Sequence, residues 1–349
     1  MKKFSICLTI MIVVFVTAIF TGTARAKAKY VMKLASGSAV RDYWSFTWTP
    51  KVLFKQEVER RSKGQIEVKW YPRSQLGSIE QVIIQTRQGL VQGCSAEGGH
   101  FATLYPNIQI FSIPYLFYDR QIAWEIMKGK VAKKIREDMT KTVGLRPLGF
   151  LENGGFRNFS NSKRPLRSPE DLKGLKIRTM NIPLHMEIVK NLGASPTPIN
   201  WSELYSSLQT GVVDGQENSV PTFRIPKLEE VQKYMILDEH VYSFNTFLLN
   251  EKWFQSLPKE LQGAILQSYD IAGTVQDALS ALEEKKDIDW LKKKGIDIYS
   301  PPISVKAEFR KLTQGPAIKW LRNQKGIDNK MIDQLLKEVQ QIERKWSYE

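Results

Sequence analysis

Two kinds of hydrophobic spacing alternate along the first third of the chain, and that alternation limits the architectures open to it. Val31-Met32-Lys33-Leu34-Ala35 reads as a short strand that ends at Ser36-Gly37-Ser38. A helix is expected from near Trp48 to Ser62, with apolar positions at Val52, Leu53 and Val58 and a stop at Gly64. Ile66-Glu67-Val68-Lys69-Trp70 alternates apolar and polar side chains, as a half-buried strand does. Ile79, Val82, Ile83, Thr86 and Leu90 return to helical spacing, with Gly89 and Gly93 at the exit. Strand–helix–strand–helix order signals an α/β layer with a largely parallel sheet, because parallel strands need a crossover long enough to hold a helix.

The second half repeats this logic. Trp124, Met127, Val131, Ile135 and Met139 give an amphipathic helix, followed by a strand over residues 145–151. Lys176-Ile177-Arg178-Thr179 reads as a strand, and residues 184–192 as a helix closed by Gly193. Ser202 is placed to N-cap a helix carrying Leu204, Tyr205 and Leu208, closed by Gly211. From Pro258 towards Gly295 an apolar stripe (Leu261, Ile265, Ala272, Leu279, Leu282, Leu291) predicts one long helix. At 1.5 Å per residue it would be about 50 Å long, more than one small lobe, so it is expected to bridge two. Ile332, Leu335, Val339, Ile342 and Trp346 mark a last helix.

The N-terminus reads as an address. Lys2 and Lys3 precede an apolar run from Phe4 to about Phe20, and Ala24-Arg25-Ala26 matches a cleavage site, so residues 1–26 are expected to be a removed signal peptide. Cys7 stands at the start of the apolar run, not its end, which argues against a lipid anchor. The rest is long enough for two compact lobes. Only Cys94 survives cleavage, so no intrachain disulfide can form, and stability must come from burying the 42% of residues that are hydrophobic. The formal charge is +15, but basic residues are scattered among acids; the run Lys292-Lys293-Lys294 stands near Asp287 and Asp289. That is the pattern of solvated helix faces and not of a nucleic-acid surface, though it can steer small anions.

Catalytic machinery is missing from the pattern. His100, His185 and His240 are far apart and lack metal-ligand spacing or cysteine partners, so a structural or surface role is expected of each. There is no phosphate loop, dinucleotide fingerprint or nucleophile elbow. Cys94 reads as a small buried hydrophobe. No catalytic residue, metal or cofactor is expected.

Binding chemistry is present. Arg157 follows Gly154 and Gly155, and glycine lets backbone approach a ligand. Arg178 closes an apolar strand, where α/β sheets bind ligands, and its planar fork matches a carboxylate. Leu208-Gln209-Thr210-Gly211-Val212-Val213-Asp214-Gly215-Gln216-Glu217-Asn218 reads as a helix end, a two-valine strand and an Asp-Gly turn, with the Asn218 amide just beyond. Each feature also has a plain structural explanation: an arginine at a strand end is more often paired with an internal acid.

Taken together, these segments resemble the solute-binding subunits of TRAP transporters, the DctP-type family, over essentially the whole mature chain. Tyr71-Pro72-Arg73-Ser74-Gln75-Leu76-Gly77 and Ile113-Pro114-Tyr115-Leu116-Phe117 resemble family signatures, as do Arg157, the segment 174–180, and Ser202-Glu203-Leu204-Tyr205 leading into Gln209 to Glu217. The resemblance implies a two-lobed α/β clamp of the periplasmic-binding-protein kind, each lobe a mixed, mostly parallel sheet flanked by helices, with a long lobe-bridging helix. The expected division is 27–154 with about 244–283 in lobe I, and 155–243 with about 284–349 in lobe II. It further implies periplasmic capture of a small organic carboxylate (a dicarboxylate, 2-oxo acid, sugar acid or aromatic acid) for a TRAP permease, by a chain expected to be a monomer. Arg178 would pair with the ligand carboxylate, Arg157 support it and Asn218 complete the grip. Segments 36–48, 94–101 and 242–245 would shape the rest of the pocket. Trp44, Phe101, Trp201 and Phe223 are aromatic candidates for its wall, and Glu97, or less directly Glu80 and Gln81, candidates to bond a ligand hydroxyl. A sensor built on the same clamp is the main alternative, and an enzyme acting on an organic acid a weaker one.

Overall fold

The computed structural model describes residues 28–38 and 45–347. The expected signal peptide and Trp44 lie outside them. The chain begins β1 (Tyr30–Ser36), α1 (Thr49–Arg61), β2 (Ile66–Tyr71), α2 (Ile79–Gln88), β3 (Gly93–Glu97). β1 pairs in parallel with both β2 and β3. α2 has a capping box between Ser78 and Gln81 and ends on left-handed Gly89 (φ 80°). The periodicity across residues 124–139 divides into α3 (Arg120–Lys128) and α4 (Lys130–Val143). Gly129 separates them in an extended conformation, and the Glu338 carboxylate accepts the first N–H groups of α4, from Lys130 at 2.7 Å and Val131 at 3.1 Å.

Next come β4 (Leu145–Pro147), β5 (Leu151–Asn161), β6 (Lys176–Thr179), α5 (Pro183–Asn191), β7 (Ser195–Pro198), α6 (Leu204–Gln209), β8 (Gly215–Ser219) and α7 (Val220–Arg224). β9 (Tyr234–Ile236), β10 (Val241–Asn250), α8 (Glu251–Ser256), α9 (Lys259–Lys293), β11 (Asp297–Tyr299), α10 (Ile303–Arg322) and α11 (Asn329–Lys345) complete the fold. Among the described residues the strands form an 11-stranded sheet in the order β2-β1-β3-β10-β5-β8-β6-β7, with β4, β9 and β11 off that path. Pairing is parallel towards both ends, β2-β1-β3 and β8-β6-β7, and antiparallel through the middle.

β5 and β10 stand at the middle of the sheet, and an irregularity in their pairing marks a bend at one level. Their register shifts between Ser243 and Phe244. Opposite stand Gly154 (φ 81°) and Gly155 (φ 92°), backbone angles that glycine adopts without strain. α9, 35 residues long, runs along α1 and β5 to reach α7. Its polar side chains meet the backbone of the bend. The Glu152 N–H donates to Asp277 at 2.8 Å, Gln276 Nε2 donates to the Glu152 carbonyl at 2.9 Å, and the Gly154 N–H donates to Ser280 Oγ at 3.3 Å. A long bridging helix therefore also supplies hydrogen-bond partners that the irregular strands lack.

Three local expectations change. The strand expected over residues 145–151 is broken, with 148–150 separating β4 from β5. Strand β8 begins at Gly215 and not at the valines, so the Asp-Gly pair starts the strand instead of leaving it. A Cβ at Gly215 would stand 2.1 Å from the Ser160 carbonyl, so the close approach of β5 requires glycine there. Ser202 lies inside a 3₁₀ turn, Trp201–Glu203, whose N-cap is Asn200. The last helix, α11, lies against α3 and α4, with Lys345 bonded to Glu125 at 2.9 Å.

Candidate functional site

A cleft opens between the C-terminal ends of the parallel strands on either side of the bend, enclosing about 520 Å³ of empty space, its mouth included. One wall comes from the ends of β1 and β3 and the start of α2: Ser38, Ile79, Ser95 and Glu97, with His100 just beyond. The other comes from Arg178 at the end of β6, Met180, Trp201, Asn218 and Thr222. Asn153 and Asn245 sit at the bend.

Arg178 dominates this surface. It is only 1% exposed. Its Nε donates to the Ile199 carbonyl at 2.9 Å, which fixes the plane of the guanidinium. Its Nη1 is buried and has no hydrogen-bond partner. Burial, with nearby Arg157, lowers its pKa to about 10 against the opposing field of Glu217. A fixed, desolvated cation with an unused donor is matched to an anion that can replace its lost water.

Arg157 has a different environment. Its Nε donates to Glu217, its Nη2 donates to the Glu217 carboxylate at 3.0 Å and carbonyl at 2.6 Å, and its Nη1 donates to Glu97 at 2.5 Å. All three nitrogens are used and the side chain is fully buried. Glu217 is the hub: His185 Nδ1 lies 3.4 Å and His240 Nε2 3.5 Å from its oxygens. Burial would raise the Glu217 pKa, but Arg157 and His185 outweigh it and hold the carboxyl well below its usual range. Burial likewise opposes charge on His240, yet Asp238 at 2.8 Å and Glu217 raise its pKa to about 9. Burial lowers that of His185 despite Glu217. His240 also stacks on Phe159, ring centroids 4.2 Å apart.

The structure brings Arg178, Asn218, Glu97 and Trp201 together on the cleft. Arg157 lies beneath, reaching it only through Glu97. Phe101 and Phe223 are in hydrophobic cores instead of the wall, because their rings fill space behind β3 and α7. Asn218 donates its amide to Gln216 Oε1 at 2.8 Å. Gln81 is used in the α2 cap, and Glu80 stands 3.9 Å from His100. Cys94 is buried, which pushes its thiol up to about 12 and leaves it a packing residue. Asn153, Ser95 and Asn245 are not singled out by the sequence, and His100, expected to be structural or surface, lines the cleft. Three of these four fall in segments expected to shape the pocket, although residues 93–97 and 241–250 are strands and not loops. Among the described residues no group of three or more His, Cys, Asp or Glu could hold a metal ion.

Two lobes hinged on paired bent strands, with an unpaired guanidinium between them, define a solute-binding clamp for a small anion. The chain belongs to the bacterial extracellular solute-binding protein family 7, the DctP-type subunits of TRAP transporters, whose model matches residues 48–320. It is 34% identical over 247 residues to the 2,3-diketo-L-gulonate-binding periplasmic protein of Escherichia coli, covering 71% of this chain and 75% of the relative. Its fold matches the sugar acid binding protein of Advenella mimigardefordensis in complex with galactonate (TM-score 0.84, 27% identity, 90% of this chain and 99% of the other). It also matches a TRAP periplasmic solute-binding protein of Sulfurospirillum deleyianum with bound succinate (TM-score 0.80, 26% identity, 90% and 99%).

Proposed function

We propose that the protein captures a small organic carboxylate in the periplasm, as a monomer without catalytic activity, and hands it to a TRAP permease. Arg178 pairs with the carboxylate, Asn218 hydrogen-bonds beside it, and Arg157 acts indirectly by holding Glu97 and Glu217 in place. The observation that carries this reading is the buried Arg178 Nη1 on the cleft with no partner of its own. A buried donor without a partner costs roughly 1–3 kcal/mol, more for a charged group, and a ligand carboxylate removes that cost. Two charge-assisted hydrogen bonds of roughly 1.5–3 kcal/mol each, with enclosure, suffice for micromolar affinity, about −8 kcal/mol. The lobes of the clamp are proposed to comprise 27–154 with about 244–283 and 155–243 with the chain from about 284, of which α11 returns to α3 and α4.

A thermal-shift screen across dicarboxylates, 2-oxo acids, sugar acids and aromatic acids tests it, since a ligand raises stability as ln(1 + [L]/Kd). At least one acid is expected to stabilise the wild type and not Arg178→Ala. No stabilisation by any acid class, or equal stabilisation of the variant, contradicts the reading. Recovery of chemically altered ligand from the protein would contradict the absence of catalysis.

A further inference from the structure

We propose that the ligand is a monocarboxylate carrying several hydroxyl groups, a polyhydroxy acid of the aldonate type, and that Glu97 is the residue that selects it over dicarboxylates. This rests on Arg178 holding the carboxylate. Among the described residues that line the cleft, Arg178 is the one guanidinium and Glu97 the one carboxylate. Arg157 offers the ligand no second cation, because its nitrogens are all bonded to Glu217, Glu97 and Ser243. A second ligand carboxylate would therefore lie near Glu97 with no second guanidinium and no ammonium among the described lining residues to meet it.

Glu97 is an acceptor only, with about four lone-pair positions. Oε1 accepts from Arg157 at 2.5 Å and from Ser243 Oγ at 2.9 Å, and Oε2 accepts a single long bond from Asn153 Nδ2 at 3.4 Å. Oε2 is left able to accept from a ligand, and only a donor such as a hydroxyl can satisfy it. The Arg157 pair and Ser243 keep this carboxylate in place whether or not a ligand is bound.

The amides add the complementary pattern. Asn245 accepts from Ser95 Oγ through Oδ1 at 3.1 Å, leaving its N–H groups for a ligand. Asn153 donates twice within the protein, which leaves it a carbonyl oxygen, and Asn218 donates once, which leaves it a second N–H and a carbonyl oxygen. Donors and acceptors thus alternate around the cleft. A hydroxyl both donates and accepts, so a chain of hydroxyls fits this wall, whereas a carboxylate or bare ring does not. Of the aromatic candidates among the described residues, Trp201 lines the cleft and gives it one flat apolar face.

Two like charges about 5 Å apart at an effective dielectric of about 20 disfavour binding by roughly a hundredfold. Isothermal titration of the full mature chain with D-galactonate, D-gluconate, succinate and benzoate reads this directly. The aldonates are expected to bind roughly a hundredfold tighter than succinate. Glu97→Gln, checked for folding by circular dichroism, is expected to weaken aldonate binding about tenfold or more and to narrow the ratio to succinate. Asn245→Leu leaves the charged network untouched and is expected to weaken the aldonates while sparing benzoate. Succinate or benzoate binding as tightly as the aldonates overturns the inference, as does an unchanged ratio in folded Glu97→Gln. If such a preferred acid still depends on Arg178, carboxylate capture stands and only the hydroxyl selection falls; if no acid binds, capture itself falls.

Discussion

Replacing Arg178 with methionine should make the empty protein more stable while destroying its ability to bind. The side chain is 1% exposed and its pKa falls from the ordinary guanidinium value to about 10, chiefly through burial. At pH 7 the group is charged in both folded and unfolded chains. A pKa lowered by that amount corresponds to a penalty on the order of 3 kcal/mol for keeping the charge inside. The penalty is full below the folded pKa and fades as pH rises towards the unfolded value. Methionine has similar reach and no charge, so it recovers most of this. The substitution also removes the bond to the Ile199 carbonyl, 2.9 Å from Nε, at a cost of about 1–2 kcal/mol. The net gain is on the order of 1–2 kcal/mol, or roughly a few degrees in Tm for a protein of this size. Differential scanning calorimetry with and without ligand gives both numbers. A Tm below that of wild type without ligand, or a ligand-induced shift that survives in Arg178→Met, would refute the idea that binding competence is held as an unpaired buried charge.

Three further outcomes follow from the site. Glu217→Gln should cost about 3–5 kcal/mol in urea unfolding at pH 7, because Arg157 is left buried with its main counter-charge gone; a loss under 1 kcal/mol contradicts the hub. The folded pKa of His240, about 9, stands above its ordinary 6.5, so its contribution is complete below about pH 6.5 and is lost as pH rises through 9. The stability advantage of wild type over His240→Gln should shrink by on the order of 3 kcal/mol across that window, read by urea titration of both at each pH; a difference that does not change with pH contradicts it. A Cβ at Gly99 would stand 1.8 Å from Ile182 Cδ1 and 2.4 Å from Cγ1, and Ile182 is itself buried. Since Gly99 adjoins His100 of one wall and Ile182 follows Met180 of the other, Gly99→Val should hold the walls apart and weaken ligand binding about tenfold or more without touching the ligand; unchanged affinity shows that the contact does not govern closure.

What the sequence displayed was set by local periodicity. β1, β2 and β6, the helices α1, α2 and α5, and the long α9 lie within a residue or two of their expected positions, because burial on one face imposes a repeat that can be read directly. β10 gives no such signal: all ten of its residues are buried, so it carries no alternation, and the sequence marks only 242–245 there, as part of the pocket. Gly129 divided a continuous stripe because the cap on α4 comes from Glu338, some two hundred residues away. Arg178 was legible as a strand-end cation. The commitment of Arg157 to Glu217 was not, since that pair forms only where β5 and β8 align with Arg157 beside Ser219 and Phe159 beside Glu217. Phe101 and Trp201 looked alike in sequence; one fills a core and the other lines the cleft, a difference that arises only in three dimensions.

A crystal structure with the preferred acid bound reaches the central claim most directly. The account predicts a ligand carboxylate oxygen about 2.7–2.9 Å from Arg178 Nη1, with Arg157 still on Glu217 and Glu97. A carboxylate bound elsewhere in the cleft, or Arg178 swung onto an acid of its own chain, would contradict it.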